Sequence, residues 1–242
     1  MTHAKVALVI GAGDATGGAI AKRFAQEGYV ACVVRRSYEK LLPLVDAIQA
    51  QGGTAYGFDC DARKEDQVQA LIETIERDIG PIEVMAFNIG ANVPCSILDE
   101  SARKYFKIWE MACFSAFLTS QAVARNMVTR GHGTLLFTGA TASLRGASNF
   151  AAFAGAKHAL RALAQSMSRE LAPRGIHVAH VIIDGAIDTE FIRTQFPEQY
   201  ATKDADGILN PEHIAENYWH LHQQPRDAWT FELDLRPWQE RW

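Results

Sequence analysis

The stretch Gly11-Ala12-Gly13-Asp14-Ala15-Thr16-Gly17-Gly18 is where residue type and spacing speak most directly to chemistry. Glycines at this density let the backbone turn tightly and come close to a pyrophosphate. A helix beginning directly after them would aim free N–H groups at the anion. The apolar run Val6 to Ile10 precedes the glycines, and helical periodicity begins at Gly17. That strand, glycine loop, helix order is the pattern of a dinucleotide-binding turn. A second phosphate-seeking feature, Arg35-Arg36, stands just past the next apolar run. An aspartate there would bond a free ribose 2′-hydroxyl and repel a 2′-phosphate, whereas arginine offers a planar fork matched to phosphate. The pair favours NADP(H) over NAD(H).

The elements that must position these residues alternate from start to finish. Strands are expected at Val6 to Ile10, Tyr29 to Val34, Ala55 to Phe58, Ile82 to Phe87, Thr134 to Thr138, Ile176 to Ile183 and Trp229 to Leu235. Between them, helical periodicity covers Gly17 to Glu27, Tyr38 to Gln51, Lys64 to Asp78, a long stretch from Ala102 to Thr129 broken near Trp109, and Phe150 to Ala172. Asn210-Pro211-Glu212 has the cap and first-turn chemistry of one more helix. Repeated β-α units argue for an α/β fold, a doubly wound and mostly parallel seven-stranded sheet with helices on both faces. No linker or repeat divides residues 1–242, so one domain is expected.

Composition narrows the function classes. The formal net charge of −4 leaves no basic footprint for nucleic acid or anionic lipid. No apolar run approaches the roughly 18 residues a membrane span needs. Met1-Thr2-His3-Ala4-Lys5 leads straight into the first strand, which predicts a chain without a targeting leader, resident in the cytoplasm. Cys32, Cys60, Cys95 and Cys113 are scattered without metal-ligand spacing, and His220 and His222 do not share a helix face, so no metal site is expected.

Several segments together resemble the short-chain dehydrogenase/reductase family along almost the whole chain, which implies a Rossmann-type fold. Gly11 and Gly17 match the family's Thr-Gly-x-x-x-Gly-x-Gly turn, with Ile10 and Ala15 replacing the Thr and the middle Gly. The resemblance implies cofactor contacts from Gly11, Gly13, Asp14, Thr16, Gly17, Arg35 and Arg36. It also implies an adenine contact from Asp61-Ala62. Asn88 and Gly90 keep two positions of Asn-Asn-Ala-Gly, and Gly185, Ile187 and Thr189 fall in the stretch that holds the carboxamide and pyrophosphate. Asp184 stands where the family has Pro. Relatives that prefer NADP often carry a base at Asp14, so that residue argues for NAD(H) against the arginine pair. Residues 190–210 correspond to a substrate lid, with Phe191, Phe196 and Tyr200 as candidate pocket residues. The Trp-rich segment 229–242 is expected to pack on the body or on a partner, and relatives form homodimers or homotetramers.

At the reacting end the resemblance exposes a departure. Phe153-Ala154-Gly155-Ala156-Lys157 replaces Tyr-x-x-x-Lys, Ala140 falls at the Ser position, and Ala112 near the relay Asn. Lys157 alone is kept, and it carries the implied ribose contact and an effect on a neighbouring acid. Thr141, Ser143, Lys157 itself and Tyr200 are candidate substitutes, whereas His158 is expected to face away. Two readings remain open: an active oxidoreductase with non-standard proton delivery, and a nucleotide-binding pseudoenzyme serving as a sensor or assembly partner. No substrate is indicated.

Overall fold

The computed structural model describes residues 4–240. Val6–Ile10 forms β1, five apolar residues buried on both faces, as a strand covered by helices on each side requires. The elements that follow are α1 (Thr16–Gln26), β2 (Val30–Arg35), α2 (Leu42–Ala50), β3 (Thr54–Asp59), α3 (Glu65–Asp78) and β4 (Ile82–Phe87). The chain continues through α4 (Ala102–Trp109), α5 (Ser115–Arg130), β5 (Gly133–Thr138), α6 (Ala151–Leu171) and β6 (Ile176–Ile183). It ends with α7 (Glu190–Gln195), α8 (Pro197–Tyr200), α9 (Pro211–Gln223) and β7 (Glu232–Leu235).

All seven strands join one sheet in the order β3-β2-β1-β4-β5-β6-β7, and every neighbouring pair is parallel. The chain winds outward from β1 in one direction and resumes at β4 in the other. The crevice beyond the carboxyl ends of β1 and β4 is therefore the place where this topology binds ligands. Two apolar layers sandwich the sheet. One joins Leu71 and Ile75 of α3, Leu118 and Met127 of α5 and Leu160 of α6 to the strands. The other joins Ile20 and Phe24 of α1, Ile48 of α2 and Tyr218 of α9.

Local chemistry explains the boundaries. Ser101 caps α4 by accepting from the Lys104 N–H, and Gly131 closes α5 in the left-handed region at φ 73°. Asn210 caps α9 by accepting from the Glu212 N–H, ahead of Pro211. The expected break near Trp109 is a π-helical turn, Glu110–Phe114, that passes directly from α4 into α5. Two expectations are corrected. The second helix starts at Leu42 instead of Tyr38. The last strand starts at Glu232 instead of Trp229, because the Gln224 amide group holds Thr230 outside the ladder and the Trp229 ring stacks on His177 at 4.9 Å.

The lid segment 190–210 holds α7, α8 and a 3-10 turn at Lys203–Ala205, and returns through a bridge between Ile187 and Leu209. The tail behind β7 does pack on the body: Pro237 lies against Gly185, and Trp238 Nε1 donates to the Ala205 carbonyl at 3.1 Å. Trp238 nonetheless remains 76% exposed. Met1, Thr2, His3, Arg241 and Trp242, which the sequence reading includes in the chain start and the tail, lie outside the described residues. Among the described residues, no helix is long and apolar enough to cross a membrane.

Candidate active site

The glycine loop between β1 and α1 folds back on itself so closely that side chains are excluded. Gly11 adopts φ +86°, and a Cβ on it would sit 2.8 Å from the Asn88 carbonyl oxygen. A Cβ on Gly17 would collide with the Gly11 carbonyl oxygen and lie 2.9 Å from Ala12 Cα. Asn88, just past β4, ties the loop down: its N–H donates to the Ile10 carbonyl at 2.8 Å and its Nδ2 to the Gly11 carbonyl at 3.2 Å. A Cβ on Gly13 would meet nothing within 4 Å, so that glycine borders open space. No side chain caps α1, which leaves its first N–H groups available to an anion.

A cavity of about 250 Å³ opens beside this loop, lined by Gly11, Gly13, Arg35, Arg36, Asp61 and Ala62 among others. Arg35 Nη1 reaches Asp14 Oδ1 at 3.0 Å. The two residues that argued for opposite nucleotides thus form one ion pair, and Arg36 stays exposed beside them. Arg63 donates to both oxygens of Asp61, at 2.8 and 2.6 Å. Its guanidinium holds the Asp61 carboxyl below the usual carboxylate range. Sequence reasoning missed Arg63, and also Met111 and Ser115, which line the same cavity. The π-helical turn Glu110–Phe114 carries Met111 and leads directly into Ser115, and no linear spacing announces that turn.

A second cavity, about 470 Å³, is lined by Ala140, Thr141, Phe153, Lys157, Gly185 and Ile187 among others. It shares Asn88, Ile89 and Gly90 with the first. Lys157 on α6 is 3% exposed. Its Nζ donates to the Thr138 carbonyl at 2.8 Å and the Ile89 carbonyl at 3.3 Å, and lies 6.0 Å from the centre of the Phe153 ring. Burial among neutral partners pushes this lysine down to about 8. Ala140 precedes a 3-10 turn, Thr141–Ser143, and its N–H donates to Ser143 Oγ at 3.1 Å. Ser143 is fully buried, which removes it as a candidate substitute at the Ser position. Thr141 faces the cavity and donates to Asp184 Oδ1 at 2.5 Å. Arg145 and Asn92 also line the cavity, and sequence reasoning passed over both.

Other expected site residues serve the frame or stand apart. Ala112, in the π-helical turn, is fully buried against Ala152 and Ala156 of α6, where it serves as a helix contact. Thr16 is buried at the start of α1. Thr189 caps α7 by accepting from the Ile192 N–H at 3.1 Å. Phe191 and Phe196 pack on each other at 5.9 Å and stay half exposed. Tyr200 lies beside Lys203. None of these three lid aromatics lines either cavity, which corrects the pocket role considered for them. His158 turns back to the Ala154 carbonyl, as expected. His222 is held between Tyr29 at 2.7 Å and Thr134 at 2.9 Å, a structural post. Among the described residues no group of three metal-binding side chains forms.

Comparison with known proteins agrees with this architecture. The short chain dehydrogenase family model matches residues 5–201. The short-chain reductase protein NovJ of Streptomyces niveus is 29% identical over 87% of this chain and 79% of its own. The human dehydrogenase/reductase SDR family member 4 is 30% identical over 78% of this chain and 68% of its own. A short-chain dehydrogenase from Rhodopseudomonas palustris superposes with a TM-score of 0.83 at 46% identity, covering 97% of this chain and 99% of that one. The fold is shared with an actinorhodin polyketide ketoreductase variant determined with NADPH, at a TM-score of 0.87 and 24% identity over 97% and 96% of the two chains. With its glycine loop, switch-point crevice and buried lysine, this chain belongs to the short-chain dehydrogenase family.

Proposed function

We propose that this protein binds NADP(H) along the two adjoining cavities, and that the tyrosine-dependent exchange between carbonyls and alcohols is missing from its reacting end. The observation that carries the reading is the meeting of the cavities at Asn88, Ile89 and Gly90, with phosphate-seeking groups in one and Lys157 in the other. The uncapped start of α1 and the exposed Arg36 suit a pyrophosphate and a 2′-phosphate. Arg35 neutralises Asp14, the residue that would oppose the second phosphate. Lys157 Nζ has hydrogens to offer ribose hydroxyls next to Gly90. The family's structures determined with NADPH or NADP support the same choice.

A nicotinamide bound there supplies or accepts a hydride. This chain must then handle a proton, and Phe153, Ala140 and Ala112 have no O–H or N–H side-chain donor with which to do so. Losing a general acid costs about 10²–10⁴ in rate, and losing an oxyanion donor adds a further, non-multiplicative loss. One observation favours a second reading, in which Lys157 itself gives the proton: its burial holds it near 8, close to working pH. Association as a homodimer or homotetramer is part of the proposal, with no nucleic-acid or membrane partner.

Fluorescence titration with NADPH and NADH tests the binding claim. Tighter binding of NADPH supports it, and no binding or preference for NADH overturns it. A Phe153→Tyr, Ala140→Ser double variant should raise carbonyl reduction by at least about 10²-fold. An unchanged rate would refute the claim that these positions are what is missing. Lys157→Ala with nucleotide still bound separates the second reading, which requires turnover to vanish.

A further inference from the structure

We infer that Thr141, on the wall of the second cavity, and the buried Asp184 bonded to it form a proton-handling pair acting on the oxygen of an alcohol substrate or of the matching carbonyl. The inference rests on the reading that this cavity receives the nicotinamide end of the nucleotide. It starts from a change in two places at once. Ala140 stands where the family resemblance implies a Ser hydroxyl, and Thr141, one residue later, lines the same cavity. The family's Pro after β6 is gone, and a carboxylate stands in its place. The fold brings the two replacements into a direct hydrogen bond, Thr141 Oγ1 to Asp184 Oδ1 at 2.5 Å.

The surroundings fix the pair. The 3-10 turn carrying Thr141 is clamped by the Ala140 N–H to Ser143 Oγ bond. Asp184 is 1% exposed and anchored by its own N–H to the Leu235 carbonyl at 2.8 Å. Arg145 stands 3.8 Å from one of its oxygens and Arg236 3.9 Å from the other. Arg236 is paired in turn with Asp234, and the Glu240 carboxylate lies near Gly185. Two guanidinium groups beside a buried carboxylate compensate its desolvation and keep it in place. With its proton committed to Asp184, the Thr141 hydroxyl offers its oxygen as an acceptor to a substrate hydroxyl. Serine and threonine hydroxyls are activated by an adjacent general base, and Asp184 is the base within hydrogen-bond reach of Thr141. Tying a turn to a strand end requires no carboxylate 1% exposed; an apolar pair would do that without the burial cost.

In alcohol oxidation the substrate O–H bond breaks and its proton passes to Thr141 Oγ1, while the proton of Thr141 passes to Asp184 Oδ1. NADP⁺ bound in the adjoining cavities would take the hydride of the carbinol C–H bond, leaving the C=O bond of the product. The carboxyl proton returns through Thr141 to water after the product leaves the cavity. Carbonyl reduction with NADPH runs the same movements in reverse. Thr141 is the catalytic residue, and Asp184 acts through it.

The test uses the full chain saturated with NADP⁺ and a panel of aliphatic, alicyclic and benzylic secondary alcohols, with the matching ketones and NADPH for the reverse direction. The expected result is turnover of at least one member, a drop in kcat of about 10²-fold in Thr141→Val and Asp184→Asn, and recovery of most of that loss in Thr141→Ser. NADPH affinity should stay within about twofold in all three variants, as neither residue lines the nucleotide's adenosine end. An independent measurement needs no turnover: the unreactive complex of protein, NADPH and alcohol. Thr141→Val should weaken alcohol binding to that complex by up to about 10-fold, the worth of one hydrogen bond, and Thr141→Ser should not. Unaltered alcohol affinity and kcat in Thr141→Val would overturn the pair. So would a wild-type protein that binds NADPH tightly yet neither binds nor converts any member. Failure to bind NADPH at all would overturn the preceding reading, and is separately visible in the titration.

Discussion

Replacing Lys157 by methionine should change how stability depends on pH, and the structure sets the size of the effect. This lysine is 3% exposed, and its Nζ donates to two backbone carbonyls, those of Thr138 and Ile89. Burial depresses it from 10.5 to about 8, a difference of about 3 kcal/mol between its protonation states. Between those two pH values the unfolded chain binds this proton more than the folded chain does. Wild-type stability must therefore rise with pH across that window, and below about pH 8 the penalty is present in full. Methionine removes both the penalty and the rise. It also leaves two carbonyls without their donor, at roughly 1 kcal/mol each. The variant should thus be slightly more stable than wild type at pH 7 and less stable near pH 10, so that the two curves cross. Urea unfolding of both proteins at half-unit steps from pH 7 to 10.5, analysed as a difference, measures this directly. A difference that stays constant over the range would refute the claim that Lys157 is held folded with a depressed affinity for its proton.

Further outcomes follow from the same geometry. Gly17→Ala should lower stability by roughly 1–3 kcal/mol, because its Cβ has no room against the Gly11 carbonyl oxygen. Gly13→Ala, whose Cβ meets nothing, should leave thermal unfolding unchanged and weaken only NADPH binding; equal melting shifts in the two variants would contradict the loop geometry. Arg36→Glu should reduce the NADPH-to-NADH affinity ratio by at least about 10-fold, by replacing a phosphate donor with a like charge; an unchanged ratio would remove Arg36 from the 2′-phosphate site. Burial pushes His180 and His222 down to about 4, so the unfolded chain takes up their protons first as pH falls from about 6.5. Stability should drop through that window, and His222→Gln should flatten the drop in urea midpoints; a slope identical to wild type would count against it.

The elements were legible because their chemistry is local. β1 and β6 are continuous apolar runs, and Asn210-Pro211 announces α9 by its cap. Gly11 and Gly17 were readable as a tight turn for the same reason. Ala112 was readable as an apolar residue near the position where the resemblance implies an Asn. That it is pressed between α6 residues instead of facing a cavity depends on the π-helical turn, which no local pattern prescribes. The final strand was read three residues too long because Trp229, Phe231 and Leu233 alternate correctly, while the bonds from Gln224 that hold Thr230 off the sheet come from another element.

By itself the sequence determined the layered α/β architecture, the glycine turn between the first strand and the first helix, and the identities of Phe153, Ala140 and Ala112 at the positions where the family resemblance implies Tyr, Ser and Asn. Periodicity, caps and residue identity are properties of neighbours along the chain, and they survive without knowledge of the fold. Tertiary structure alone decided which groups confront one another: Asp14 with Arg35 across 21 positions, Asp184 with Thr141 across 43, and Lys157 with the carbonyl of Ile89 across 68. Those meetings set charge balance, proton affinity and access to the cavity. They arise where strand ends converge at the crevice, a convergence fixed by sheet order and not by spacing.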